Sequence, residues 1–313
     1  MWCCLTWQLG SKIIIRRMCQ LCYADANTTG MTNIDSDAFN GAGAHRWNAR
    51  RGFLLAAGAA VATPVLAQVD VGEASRLRSL VPAAELESAA TQQYAQMMAQ
   101  ASAQRALAPE GHPQLQRLRE ISSRLIAHSG KWNDRARQWR WEVNLIGSKQ
   151  INAFCMPGGK IAFYSGILDQ LQLTDDEVGM VMGHEMAHAL REHARERIAK
   201  SQGTGALLSI GAQLLGLGQL GNAAASVGTQ LLTLKFSRED ETDADLVGLE
   251  IAARAAFNPD ASVTLWQKMG RASNSNGAPG FLSTHPTGPD RIRRLQENVP
   301  RVRGLYQQAS GRR

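Results

Sequence analysis

Thr174-Asp175-Asp176-Glu177-Val178-Gly179-Met180-Val181-Met182-Gly183-His184-Glu185-Met186-Ala187-His188-Ala189-Leu190 decides the fold of this 313-residue chain. Thr174, with Glu177 three residues on, forms a capping box, and the acids of the first turn suit the positive end of a helix dipole. Val178, Val181, Met182, Met186, Ala189 and Leu190 then recur at helical spacing, which predicts a long helix. His184 and His188, four residues apart, project from one face of that helix and can hold one zinc ion together. Glu185 can reach a water on that metal. Zinc lowers the pKa of such a water toward neutrality, and the carboxylate takes its proton as it attacks a peptide carbonyl.

Two imidazoles leave a catalytic zinc site one protein ligand short. An extension of the motif by Gly and a third His fails here, because those positions hold Arg191 and Ala194. His193 is one residue out of place and is expected to be solvated. A second helix offers the better donor, in Ser237-Arg238-Glu239-Asp240-Glu241-Thr242-Asp243-Ala244-Asp245. Glu241 and Asp245 are four apart on one face, so Glu241 can ligate while Asp245 accepts a hydrogen bond from a ligating imidazole.

The combination His184-Glu185-x-x-His188 with Glu241-x-x-Ala244-Asp245 resembles the bacterial HtpX- and BepA-type zinc metalloproteases, relatives of the CAAX prenyl endopeptidases. The resemblance runs from about Val143 to Arg294. It includes Asn152-Ala153-Phe154 with Pro157-Gly158-Gly159, the Ser237-Arg238 lead-in, and His285-Pro286 followed by Arg291. It implies that His184, His188 and Glu241 bind one zinc and that Glu185 is the general base. Asn152 would sit near the scissile carbonyl, and the strand at 152–164 would pair with substrate. His285 would approach the metal, either steadying the oxyanion or capping the zinc in a latent state. Arg291 is a further residue expected to support the site. The spanning helices of membrane-embedded relatives are not visible here, and the chain stops soon after Pro300 without a helical-repeat extension. The expectation is therefore a minimal exported form.

Around this centre, Ala83–Leu107 reads as a helix, and Pro113 opens another with Leu115, Leu118, Ile121 and Leu125 on one face and Gly130 as its stop. Trp139, Trp141, Val143 and Leu145 alternate with polar residues as in a half-buried strand. Ile151–Met156, the Pro157-Gly158-Gly159 turn and Lys160–Tyr164 then suggest an antiparallel meander. Residues 201–234 carry no charge before Lys235 and are rich in Leu, Ala and Gly. They read as a buried or partner-facing helical hairpin, with peripheral membrane contact as the alternative. Glu239–Ala255 is helical, Ser273–Gly280 a loop, and a last short helix starts near Pro289. The fold class is α+β, a mostly helical zincin-like domain with a small antiparallel sheet beside the active-site helix.

The chain's formal charge is +7, but residues 1–67 carry six Lys/Arg against three Asp, so the remainder holds only a small basic excess. Without a basic cluster interleaved with aromatics, nucleic acid is not an expected partner. Arg50-Arg51-Gly52-Phe53-Leu54-Leu55 opens an apolar run to Ala67, which reads as a signal peptide over 1–67, of twin-arginine type. An uncut membrane anchor is the alternative. Residues 1–30 resemble neither a basic leader nor a domain, so translation is expected to start at Met31. Residues 68–313 are expected to form the peptidase domain, located in the periplasm. Cys19-x-x-Cys22 has no second pair, and lone Cys155 reads as packing. Gly216-Leu217-Gly218-Gln219-Leu220-Gly221 matches a dinucleotide fingerprint but follows a helical segment, so no nucleotide is expected. The functional expectation is a zinc endopeptidase acting on unfolded or misassembled cell-envelope proteins. The alternative is a zinc-stabilised periplasmic chaperone or assembly factor whose proteolysis is latent or absent.

Overall fold

The computed structural model describes residues 69–202, 231, 234–276, 280–285 and 290–311. The expected signal peptide, the Met31 start, the Cys19-x-x-Cys22 pair, the glycine fingerprint and nearly all of 201–234 lie outside the described residues. The helices are α1 (Ala83–Ala103), α2 (Pro113–Ile126), α3 (Ser165–Leu171), α4 (Asp175–Leu190), α5 (His193–Gln202), α6 (Arg238–Arg254), α7 (Ala261–Asn276), α8 (Gly280–Thr284) and α9 (Asp290–Ser310). The strands are β1 (Glu142–Ile146), β2 (Ala153–Met156) and β3 (Lys160–Tyr164). Among the described residues, no helix is long and apolar enough to cross a membrane.

Both helices that carry the chemistry start as their sequences dictate. Thr174 Oγ1 accepts from the Glu177 amide at 3.3 Å, and the Glu177 carboxylate accepts from the Thr174 amide at 2.9 Å. Ser237 and Asp240 repeat this box at the start of α6, at 3.2 and 2.8 Å. Every residue of α4 from Glu177 to Leu190 is buried, so this helix is the axis of the domain. It crosses α6 where Gly183 meets Gly248. A Cβ on Gly183 would lie 2.9 Å from the Gly248 carbonyl oxygen, and one on Gly248 would lie 2.7 Å from the His184 backbone nitrogen. Only glycine allows so close an approach, and it places His184 directly against α6.

The sheet corrects one expectation. Its order is β1-β3-β2: β2 and β3 form the expected antiparallel hairpin, but β1 pairs parallel with β3, so the sheet is mixed and not a meander. The hairpin is closed at Gly158 and Gly159, whose φ values of +83° and +77° favour glycine. Residues 147–152 then carry the chain past the neighbouring position, so that β3 slots between β1 and β2. Alternation of side chains fixes which residues point inward but not which strands are neighbours.

The sheet is also covered twice. Val143, Leu145, Ile161, Phe163, Ala153 and Cys155 join the main core with α2, α4, α6, α7 and α9. Ile146, Met156 and Ala162 pack instead against Ala90, Tyr94 and Ala101 of α1. Two further differences follow from packing. Residues 273–276, expected to open a loop, belong to α7, and the final helix, expected to be short, continues through Pro300 to Ser310. Arg291, Leu295, Val299, Val302 and Leu305 share the buried face of α9, and tertiary burial of that stripe outweighs the local cost of the proline. Ahead of α1, Val69 is buried in the main core, and its amide donates to Glu250 Oε2 on α6 at 2.9 Å.

Candidate metal centre

α4 and α6 face each other across the glycine crossing and bring His184, His188 and Glu241 together. The two imidazoles present Nε2 atoms 3.2 Å apart. Glu241 Oε2 lies 3.6 Å from His184 Nε2, and Glu241 Oε1 lies 3.4 Å from His188 Nε2. His285, at the end of α8, joins them, with its Nδ1 2.9 Å from Glu241 Oε1 and 3.4 Å from His184 Nε2. These four donor atoms all lie within 4.8 Å of one another, and all four side chains are buried.

The donor set fits a tetrahedral cation. Bonds of about 2.0–2.1 Å place tetrahedral donors roughly 3.3 Å apart, close to the spacings seen here. Imidazole and carboxylate donors are also those zinc prefers. The cluster could therefore hold a metal ion.

The supporting residues divide by helix face. Asp245 Oδ1 lies 3.0 Å from His184 Nδ1. Arg291, from α9, donates to Glu241 Oε2 and to Asp245 Oδ1, each at 2.7 Å, and its guanidinium lies 3.3 Å from the centre of the Trp266 ring. Burial alone would raise the Glu241 pKa, but hydrogen bonds from His188 and His285, with the charge of nearby imidazoles, hold its carboxyl far below the usual range. For His188, burial wins and pushes its pKa well below the ordinary imidazole value.

Glu185 points to the other side of the cluster. Its Oε1 is buried and has no hydrogen-bond partner among the described residues; His285 Nε2 lies 3.5 Å away. Burial raises the Glu185 pKa, and nearby His285 and His184 only partly offset this. Burial opposes protonation of His285, yet the charges of Glu185 and Glu241 raise its pKa. Glu185, His188 and His285 line a cleft together with Asn152 to Met156, Leu234 and Phe236. Asn152 stands at the mouth of β2, where its Oδ1 accepts from the Ala153 amide at 3.0 Å. The thiol of Cys155 is buried, and that burial and the Glu185 charge push its pKa up, so it stays protonated.

His193 departs from expectation. It is buried, not solvated, with Nδ1 3.0 Å from His188 Nδ1 and Nε2 3.1 Å from Asp243 Oδ2. Glu192 takes a left-handed conformation, φ 59°, which ends α4 and folds His193 back under His188. Phe236, also unforeseen, lies against His188 with ring centres 3.9 Å apart, and Phe281 stacks on His285 at 4.5 Å. The available signal was weak: an imidazole five residues beyond His188, and an apolar residue just before the α6 cap.

Residues 112–299 match Peptidase family M48. The mitochondrial metalloendopeptidase OMA1 of Schizosaccharomyces pombe is 36% identical over 194 residues, covering 61% of this chain and 55% of that protein. The beta-barrel assembly-enhancing protease of Escherichia coli K12 is 26% identical over 204 residues, 62% of this chain and 41% of that protein. Metalloprotease LoiP of the same organism is 28% identical over 158 residues, 49% and 60% of the two chains. The chain thus spans about half the length of these relatives. With the family match extending over more than half of its own residues and enclosing the whole histidine–carboxylate cluster, this chain belongs to peptidase family M48.

Proposed function

We propose that this chain is a periplasmic zinc endopeptidase that cuts unfolded or misassembled cell-envelope proteins, with His184, His188 and Glu241 holding one zinc. The observation that carries the reading is Glu185: a buried carboxylate whose Oε1 lacks a partner, beside a four-donor cluster and open to the cleft. When bound, zinc would supply the Lewis acidity that polarises the scissile carbonyl and acidifies the attacking water.

The chain's own residues do the rest. Glu185, made more basic by burial, takes the proton of the attacking water at Oε1 and returns it to the leaving amine. His285, whose Nε2 lies 3.5 Å from Glu185 Oε1, hydrogen-bonds the developing oxyanion through Nε2. Among the described residues the outer edge of β2 faces no other strand, so an extended substrate adds there beside Asn152, a mode tolerant of sequence and suited to quality control. The E. coli relative is a beta-barrel assembly-enhancing protease, which supports an envelope-assembly substrate. The Arg50-Arg51 pair ahead of an apolar run supports a twin-arginine leader and export after folding; replacing both by Lys should leave the protein in the cytoplasm, and continued export would count against that route.

A second reading is favoured by one distance. His285 Nδ1 stands within the donor cluster, where it would cap the zinc and leave a latent protease or a chaperone. Hydrolysis of unfolded casein by the purified chain separates the two. Activity abolished by a chelator and by Glu185→Gln supports the peptidase. A zinc-loaded chain inactive on casein, and still inactive as His285→Ala, would contradict it.

A further inference from the structure

The two imidazoles of α4 need their second ring nitrogen held if Nε2 is to face a metal, because a ligating Nε2 requires the proton on Nδ1. For His184 the acceptor is a carboxylate, Asp245, on the same face of α6 as Glu241. For His188 Nδ1, no carboxylate of the described residues is in direct reach, the nearest group being His193 Nδ1. Asp243, two residues from each of those acids, points off the flank of α6, about 200° round the helix from either. His193 bridges the gap, with one ring nitrogen 3.0 Å from His188 Nδ1 and the other 3.1 Å from Asp243 Oδ2.

We infer that His193 and Asp243 are positioning residues that fix His188 as a metal ligand: His188 Nδ1–H donates to His193 Nδ1, and His193 Nε2–H donates to Asp243 Oδ2. This rests on the zinc reading above. Each contact demands the next. His193 can accept at Nδ1 only as the tautomer protonated at Nε2, and the Asp243 carboxylate selects that tautomer. Asp243 is itself held by Arg191, whose Nε donates to Oδ2 at 2.6 Å while its Nη2 donates to the Gly72 carbonyl. Burial is what gives the chain of contacts its directional force, since His193 is only 3% exposed and water cannot substitute.

The test compares zinc affinity, measured by competition with a chromogenic chelator, in the full chain and in His193→Leu, His193→Gln and Asp243→Asn. Loss of the acceptor in His193→Leu should weaken zinc binding about 10- to 100-fold, with Asp243→Asn weakened less. His193→Gln, whose amide oxygen can accept from His188, should recover most of the loss; a purely structural role predicts no such rescue. Nitrogen-15 NMR of the zinc-loaded wild type should show His193 as the neutral Nε2–H tautomer, and this needs no variant to fold. A folded His193→Leu that binds zinc as tightly as wild type, or a His193 proton found on Nδ1, would overturn the inference alone. A wild-type chain that binds no zinc would overturn the metal reading, and the relay with it.

Discussion

His184 and His188 sit one turn apart on a helix buried along almost its whole length, yet they are held in different ways. His184 meets Asp245 directly, and Arg291 clamps that aspartate together with Glu241. The Nδ1 of His188 reaches a carboxylate through a second imidazole, and its ring is covered by Phe236. The first side is a dense charge network within α6 and α9. The second is built from the turn after α4 and the approach to α6. The difference teaches that one helix can present two equivalent donors, but the supports must come from whatever the fold places behind each.

The strongest way to break that comparison is Arg291→Leu. It strips the His184 side by leaving Glu241 and Asp245 buried without their cation, which should destabilise the metal-free chain by about 3–5 kcal/mol in urea unfolding. The His188–His193 tautomers should be unchanged by NMR in whatever remains folded. A loss below about 1 kcal/mol would mean that the guanidinium does not hold the two acids.

Gly248→Ala acts on both sides at once. Its Cβ would press on the His184 backbone at 2.7 Å, and overpacking of this kind costs about 1–3 kcal/mol. Zinc affinity should fall together with stability, because α6 carries Glu241, Asp243 and Asp245 away from α4 as a unit. Unchanged thermal stability would show that the crossing has slack.

Glu177→Gln should leave the comparison untouched and sharpen it as a control. Burial opposes ionisation of Glu177, but Lys268, the Thr174 amide and Thr264 overcome it and lower its pKa. A lowered folded pKa stabilises above the unfolded carboxylate value of about 4.3, and the contribution fades as pH falls through the folded value. The variant should therefore lose about 1 kcal/mol at pH 7, a gap that closes below about pH 4, with zinc affinity unchanged. A gap of the same size at pH 3 would contradict the assignment.

What could be read from the sequence follows the range of the forces involved. Both catalytic helices announce themselves through contacts three and four residues apart: the Thr174–Glu177 box, the His184–His188 pair and the Glu241–Asp245 pair. The meeting of Gly183 with Gly248 is equally decisive, but neither residue carries a side chain that signals it. The parallel pairing of β1 with β3 depends on which strand fills a gap, and the alternation of Val143 and Leu145 is the same in either arrangement. The burial of His193 has no local signal, because it is produced by the left-handed turn at Glu192, a residue with no mark of that conformation in its sequence. The length of α9 was equally hidden, since its buried stripe of Leu295, Val299, Val302 and Leu305 carries the helix through Pro300.

The central claim is that Glu241 completes a zinc site with His184 and His188 while Glu185 serves the chemistry and not the metal. Metal analysis of the purified chain, Glu185→Gln and Glu241→Ala tests it directly. The account predicts one zinc per chain in wild type and in Glu185→Gln, and none retained by Glu241→Ala after dialysis. Full zinc occupancy in Glu241→Ala would contradict it.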